Sequence, residues 1–232
     1  VTAQDPRHDS TGRRPAVGLA LKRLIDVVAS GAVLLLIWPV LLIIALWVRL
    51  DSRGPALFRQ VRVGKGMENF RILKFRTMTH RPNPTTEQAH QQVITEGADP
   101  RITRAGRFLR SSSLDELPQL INILRGDMSL IGPRPIIPAQ LAAMPTQRMD
   151  RFEVRPGLTG LAQTRGRRGL DWLKQLGYDS EYVRTRSLWL DIRIVVATVK
   201  VVLTGSGVYG GEGSNWRAHL TPATPGPERA EQ

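Results

Sequence analysis

The chain contains no cysteine. That absence excludes disulfides, thiolate nucleophiles and zinc–thiolate sites together, and it fits a reducing compartment. Histidine is scarce as well: His8, His80, His90 and His219 are the whole complement, and all lie outside the apolar-patterned segments. A histidine metal cluster or a serine–histidine relay is therefore not expected, which leaves acid, base and nucleophile to the carboxylates. Acidic residues are the third shortage. Asp and Glu total 20 against 33 Lys and Arg, a formal charge of +13. Such an excess suits a negatively charged partner: nucleic acid, an anionic membrane face or a phosphate-bearing substrate.

At 232 residues the chain is long enough for one domain with appendages. Residues 1–18 and 211–232 are polar, contain Pro and Gly and carry no apolar period, so both are expected to be flexible tails. Between Asp26 and Arg49 lies VVASGAVLLLIWPVLLIIALWV, 22 residues without a charge. As a helix it is about 33 Å long, enough to cross the hydrocarbon layer. It is longer than the apolar region of a typical signal peptide, and no small-residue cleavage site follows before Arg49. A permanent membrane helix over 19–50 is expected.

Pro39 sits near the middle of that run and should bend it. Basic residues flank both ends, Arg13, Arg14, Lys22 and Arg23 before and Arg49, Arg53, Arg59, Arg62 and Lys65 after. Because positive residues prefer the cytoplasmic side, this arrangement favours a helix that dips in and returns over a kinked span, which is the alternative.

Residues 51–210 have the pattern of a mixed, turn-rich domain without internal repeats. PALFRQVRVG and NFRILKFRTM suit short strands. Residues 79–98 form a polar, exposed loop by composition. Thr103 is placed to cap a helix through RAGRFLR, and Pro118 to open another, PQLINIL, that ends at Arg125-Gly126. SLWLDIRIVVATVKVVLTG is either a core helix or one lying in the membrane interface.

The chemistry concentrates in SSSLDELPQLINILRGDMSLIGPRP, residues 111–135, with Asp115 beside Glu116. Two readings are open from the stretch alone. Ser113 and Glu116 have capping-box spacing, but a helix starting at Pro118 would leave both acids on its approach, free to face a cleft. Arg101, Arg104, Arg107 and Arg110 precede the pair, and Arg125 and Arg134 follow it. The prolines of IGPRP stiffen the backbone that presents Arg134. RPGLTGLAQTRGRR, residues 155–168, adds four arginines and four glycines or prolines that allow close main-chain approach to a ligand. Guanidinium groups bind phosphate bidentately and stay charged in a pocket. Carboxylates among them suit phosphoryl transfer, with a carboxylate as nucleophile and Mg²⁺, which needs few protein ligands, offsetting charge. A membrane segment beside such a site implies a lipid substrate.

A membrane-tethered nucleic-acid-binding protein would also use the +13 charge, with residues 103–124 as its helix pair. PQLINIL has no basic residue, however, and the positive residues gather at membrane flanks and turns, so no nucleic-acid partner is expected.

Ordered blocks from about Leu21 to Val208 carry a resemblance: KRLID, ALFRQVRVG, LKFRTM, DPRITRAGRFLRSSSLDELPQLINILRGDMSLIGPRP and RPGLTGLAQTRGR. Together they resemble the bacterial sugar transferase family, the small monotopic polyprenyl-phosphate phosphoglycosyl transferases. The resemblance implies an α+β fold with a proline-bent re-entrant helix and a compact, mostly helical catalytic domain at the cytoplasmic face of the bacterial inner membrane. It implies transfer of a sugar 1-phosphate from a UDP-sugar to undecaprenyl phosphate, with release of UMP, and contact with anionic membrane lipids. It implies Asp115 as the nucleophile, set against Mg²⁺, with Glu116 positioning or deprotonating incoming groups. Substrate contacts are implied at Lys74, Arg76, Arg110, Arg134, Arg155, Gln163, Arg165 and Arg167, and the membrane bend at Pro39. Two departures are Trp38, where serine is common, and Leu161, where tryptophan is common. The transferred sugar and the oligomeric state are not legible; a homodimer is compatible with everything above.

Overall fold

A computed structural model describes residues 16–79, 99–166, 170–204 and Trp216. The expected tails at 1–18 and 211–232 and the polar loop at 79–98 fall almost wholly outside the described residues, and Arg167 falls outside them too.

The apolar run forms one long helix, α1, Ala16–Asp51, with Pro39 inside it. By length and composition it is sufficient to cross a membrane. Its two flanks differ sharply. Leu35 and Leu36 are 78% and 80% exposed, whereas Ile44 and Val48 are buried against Phe75, Ala105 and Leu109. Leu34 and Ile37, nearer the middle, pack on a core of Ile72, Leu120, Ile123 and Met128. Polar anchors tie both ends to the same body. Arg23 donates to the carbonyls of Ile123 and Leu124, and Asp26 accepts from the Leu130 N–H at 3.1 Å. At the far end Asp51 accepts from the Ala105 N–H at 2.9 Å.

Strands β1, Leu57–Val63, and β2, Asn69–Phe75, pair antiparallel from Leu57 opposite Phe75 to Val63 opposite Asn69. Their β-branched and aromatic residues form the two short strands expected from the sequence. Helix α2, Arg104–Ser112, begins as Thr103 predicts: its hydroxyl accepts from the Gly106 N–H at 3.0 Å. Helix α3, Gln119–Arg125, starts directly after Pro118 and ends at Gly126, whose φ of 96° is a left-handed stop. Asn122, fully buried in α3, accepts from the Leu73 N–H and donates to the Arg71 carbonyl, so one side chain sets how α3 lies on β2.

Strands β3, Ser129–Ile131, and β4, Gly157–Thr159, pair in parallel. Short helices α4, Pro138–Leu141, and α5, Leu161–Arg165, and a 3-10 segment at Thr146–Glu153 surround them. The last two helices are α6, Trp172–Thr185, and α7, Leu188–Thr204. Helices dominate the mixed fold among the described residues, as expected.

Two glycines of the 155–168 stretch, Gly157 and Gly160, bring the main chain close to that of Gly132. A Cβ at Gly157 would lie 2.1 Å from the Gly132 nitrogen, and one at Gly160 would lie 2.2 Å from the Gly132 carbonyl oxygen. Both neighbours are backbone and have nowhere to move. Gly157→Ala is accordingly expected to lower stability by about 3 kcal/mol or more, read as a fall in melting temperature in nanodiscs. An unchanged melting temperature would show that the β3–β4 crossing is looser than described.

Helix α7 has one face in the core and one exposed apolar face. Ile194 is buried in the core, while Trp189, Ile192, Val195, Val196 and Val199 face outward and exposed. Asp191 accepts from Lys22 of α1 at 2.8 Å and from the Tyr182 hydroxyl of α6 at 2.8 Å, joining three helices at one carboxylate.

Candidate active site

The segment between α2 and α3 turns sharply. Ser113 adopts φ 60°, a left-handed conformation that costs a non-glycine residue about 1 kcal/mol or more. It ends α2 and starts the 3-10 turn Leu114–Glu116. The capping-box reading fails here: the Ser113 side chain makes no capping bond, and Glu116 points elsewhere. Glu116 Oε1 accepts from Lys74 Nζ at 2.7 Å and from Arg134 Nη2 at 3.0 Å. Lys74 comes from β2 and Arg134 from the loop after β3, so a residue from each side of the fold meets on one carboxylate oxygen. The Asn122 bond to the Leu73 N–H holds β2 next to Lys74, a role that no sequence signal beyond a polar residue in an apolar helix foretold.

A cavity of about 500 Å³ opens beside this turn. Asp115, 8% exposed, lines it together with Glu116, Arg110 and Arg134. The Arg134 side chain remains 39% exposed, so its guanidinium can meet a ligand while it holds Glu116. Arg62, Arg151 and Asp179 also line the cavity and were not expected there. Gln163 lines it as expected; both polar atoms of its amide are buried and lack a hydrogen-bond partner. From α7, Thr198 and Val201 close one wall, and the Thr198 hydroxyl lies 2.8 Å from that of Thr159.

Three of the expected substrate contacts are engaged elsewhere. Arg76 is 4% exposed, and its guanidinium donates to the carbonyls of Val48, Ser52 and Arg53 at the C-terminal end of α1. There it satisfies carbonyls that have no partner within the helix and complements the helix dipole. Arg155 Nε donates to the Gly126 carbonyl at 2.8 Å, and Arg165 sits over the Tyr178 ring at 5.9 Å. None of the three lines the cavity, and Lys74, paired with Glu116, is not among its lining residues either.

Burial opposes ionisation of Glu116, but Lys74 and Arg134 outweigh it and hold the carboxyl well below the ordinary carboxylate range. Burial in turn depresses Lys74, against the pull of Glu116, while Glu116 raises Arg134. A carboxyl depressed in this way contributes stability above its ordinary value of 4.5, and that contribution is lost only as pH falls through the depressed value. Between pH 7 and 5 Glu116 therefore stays ionised. Glu116→Gln is expected to slow turnover about tenfold or more yet leave the acid limb of the pH–rate profile in place. A limb that moves with this substitution would identify Glu116 as the titrating group.

Among the described residues, no three or more His, Cys, Asp or Glu side chains gather into a metal cage. Mg²⁺ does not require one, since it usually keeps waters and binds one or two carboxylates plus substrate phosphates. Asp115, in the wall of the 500 Å³ cavity, fits that mode.

Residues 17–205 match the family model described as bacterial sugar transferase. The chain belongs to this family. Similar curated proteins include a UDP-glucose:undecaprenyl-phosphate glucose-1-phosphate transferase of Caulobacter vibrioides, 47% identical over 208 residues, which cover 85% of this chain and 76% of the relative. A protein of the same printed name from Escherichia coli K12 is 45% identical over 193 residues, but those cover only 40% of its length. The exopolysaccharide production protein ExoY of Rhizobium meliloti is 36% identical over 211 residues, 93% of its length. The chain thus matches one relative nearly end to end and another over less than half of its length.

Proposed function

We propose that this bacterial sugar transferase moves a sugar 1-phosphate from a UDP-sugar to undecaprenyl phosphate, releasing UMP, through a phosphosugar held on Asp115. The observation that carries the reading is the placement of Asp115 in the cavity wall, with its neighbour Glu116 already committed to Lys74 and Arg134. Names of similar proteins support the substrate pair, UDP-glucose and undecaprenyl phosphate being those of the Caulobacter relative.

In the first step an Asp115 oxygen attacks the phosphorus that bears the sugar, and the bond to UMP breaks with its electron pair leaving on UMP. In the second, a phosphate oxygen of undecaprenyl phosphate attacks the same phosphorus, and Asp115 departs as a carboxylate. Splitting the transfer in this way replaces one difficult encounter of two anions with two displacements at a fixed nucleophile. Arg134 and Arg110 stabilise the charge that builds on the phosphoryl oxygens. Glu116 is too acidic to take a proton near neutral pH, so it serves to orient Lys74 and Arg134. The acceptor needs no base, because a phosphate monoester is already largely dianionic at pH 7. Mg²⁺, held by Asp115 and the donor diphosphate, would supply further charge neutralisation.

The docking of α1 supports a one-sided bilayer arrangement. Its Arg23–Asp26 end and its Val48–Asp51 end both dock on one domain, which supports placing that domain on a single side of the membrane. In this reading the exposed apolar flank of α1 enters the bilayer and returns, a bend at Pro39 being expected from the proline, and the outward face of α7 lies on the interface beside it. With basic residues at both ends, that side is the cytoplasmic one of the inner membrane. Single cysteines placed by Gly12→Cys and Arg53→Cys are expected to label from the cytoplasm alike; labelling from opposite faces would establish a span.

The test of function is UMP release. Candidate UDP-sugars, UDP-glucose first, are offered with undecaprenyl phosphate in nanodiscs. Absence of UMP from every donor, with folded protein, overturns the reading.

A further inference from the structure

The loop that presents Arg134 is held carbonyl by carbonyl. The Pro133 carbonyl accepts from the Gly157 N–H at 2.9 Å, that of Pro135 from Arg62 at 3.2 Å, and that of Ile136 from the Val63 N–H at 2.9 Å. The fourth, on Arg134 itself, accepts from Nη2 of Arg151. Pro133 and Pro135 have no N–H to add, so these carbonyl contacts carry much of the definition of the loop. Arg151 is 5% exposed, and the same Nη2 pairs with Asp179 Oδ2 at 2.9 Å. Asp179, on α6, is 3% exposed. A cation this deep keeps its place only while its partner is present.

We propose that Asp179 is a positioning residue: by orienting Arg151 it fixes the Arg134 carbonyl, and so aims the Arg134 guanidinium at the transferring phosphoryl group. A chain of four polar contacts links α6 to Glu116 and Lys74, from Asp179 to Arg151, to the Arg134 carbonyl, through the Arg134 side chain to Glu116, and on to Lys74. Nothing in that chain requires Asp179 to touch substrate, although it lines the same cavity. The assignment rests on the transferase reading, because Arg134 matters here as a phosphate ligand.

A double-mutant cycle on the full-length protein in nanodiscs tests it, with UMP release as the signal. Asp179→Asn in the wild-type background is expected to lower kcat about tenfold while the KM for UDP-sugar shifts less than about threefold, since an interaction made in the transition state is what suffers. In an Arg134→Ala background the same change is expected to cost less than about twofold, because the group it positions is gone. Equal factors in the two backgrounds, or a tenfold rise confined to KM, would show direct substrate contact and overturn the proposal. If Asp179→Asn does not fold, Asp179→Glu, which keeps the charge but displaces it by one methylene, enters the cycle with the same two outcomes. Loss of coupling while the wild type still releases UMP defeats this inference alone; a wild type that releases none defeats the transferase reading and the inference with it.

Discussion

Asp115→Asn is expected to reduce UMP release by about 1,000-fold or more and to abolish any covalent adduct. Asparagine fills nearly the same volume at this 8% exposed position, so the melting temperature should stay within about 3 °C of wild type. In the proposed mechanism the substitution removes the charged oxygen that attacks phosphorus. Given donor but no acceptor lipid, the wild type should release about one UMP per chain and gain the mass of one sugar phosphate, the burst expected of a two-step route. Intact-mass spectrometry reads both results in one sample. Undiminished turnover by Asp115→Asn, or strictly sequential kinetics without an adduct, would remove Asp115 from the nucleophile's role.

Arg134→Ala is expected to have the next largest effect, a loss of about 100-fold or more in kcat/KM, as for removal of a preorganised donor to developing charge. Two functions end at once: the guanidinium that faces the cavity and one of the two cations that hold Glu116. Arg134→Lys should recover only part of the loss, because an ammonium cannot offer the two parallel N–H bonds that span two phosphate oxygens. Equal rates for Arg134→Lys and wild type would mean that charge alone suffices. Comparison of the two variants by steady-state UMP release separates geometry from electrostatics.

The fold was most legible where the signal is local. Thr103 caps α2 and Gly126 stops α3 because a cap or a left-handed turn needs only its immediate neighbours. Asp115–Glu116 was ambiguous for the opposite reason: Lys74, which takes up Glu116 and rules out the capping box, lies 42 positions away. Arg76 shows the converse error. It sits in LKFRTM two residues from Lys74, and nothing along the chain distinguishes an arginine that ends at a helix C-terminus from one that ends in a cavity. Arg151 and Asp179 resemble ordinary surface charges in sequence; only the packing of α6 on the 3-10 segment buries them together. Gly157 and Gly160 signalled close main-chain approach, and the Gly132 backbone, about 25 positions away, could not be read as the neighbour from sequence.

Helix α7 has one more implication. Thr198 and Val201 on one side face the cavity, the proposed reaction chamber, while Val195, Val196 and Val199 on the other face outward. If that outer side rests on acyl chains, the partition between fat and chemistry is a single helix, about 10 Å across. Any stress that tilts it, such as a thinner leaflet or a curved micelle, alters the width of the chamber directly. Rates obtained in detergent and in native lipid would then belong to two differently shaped enzymes.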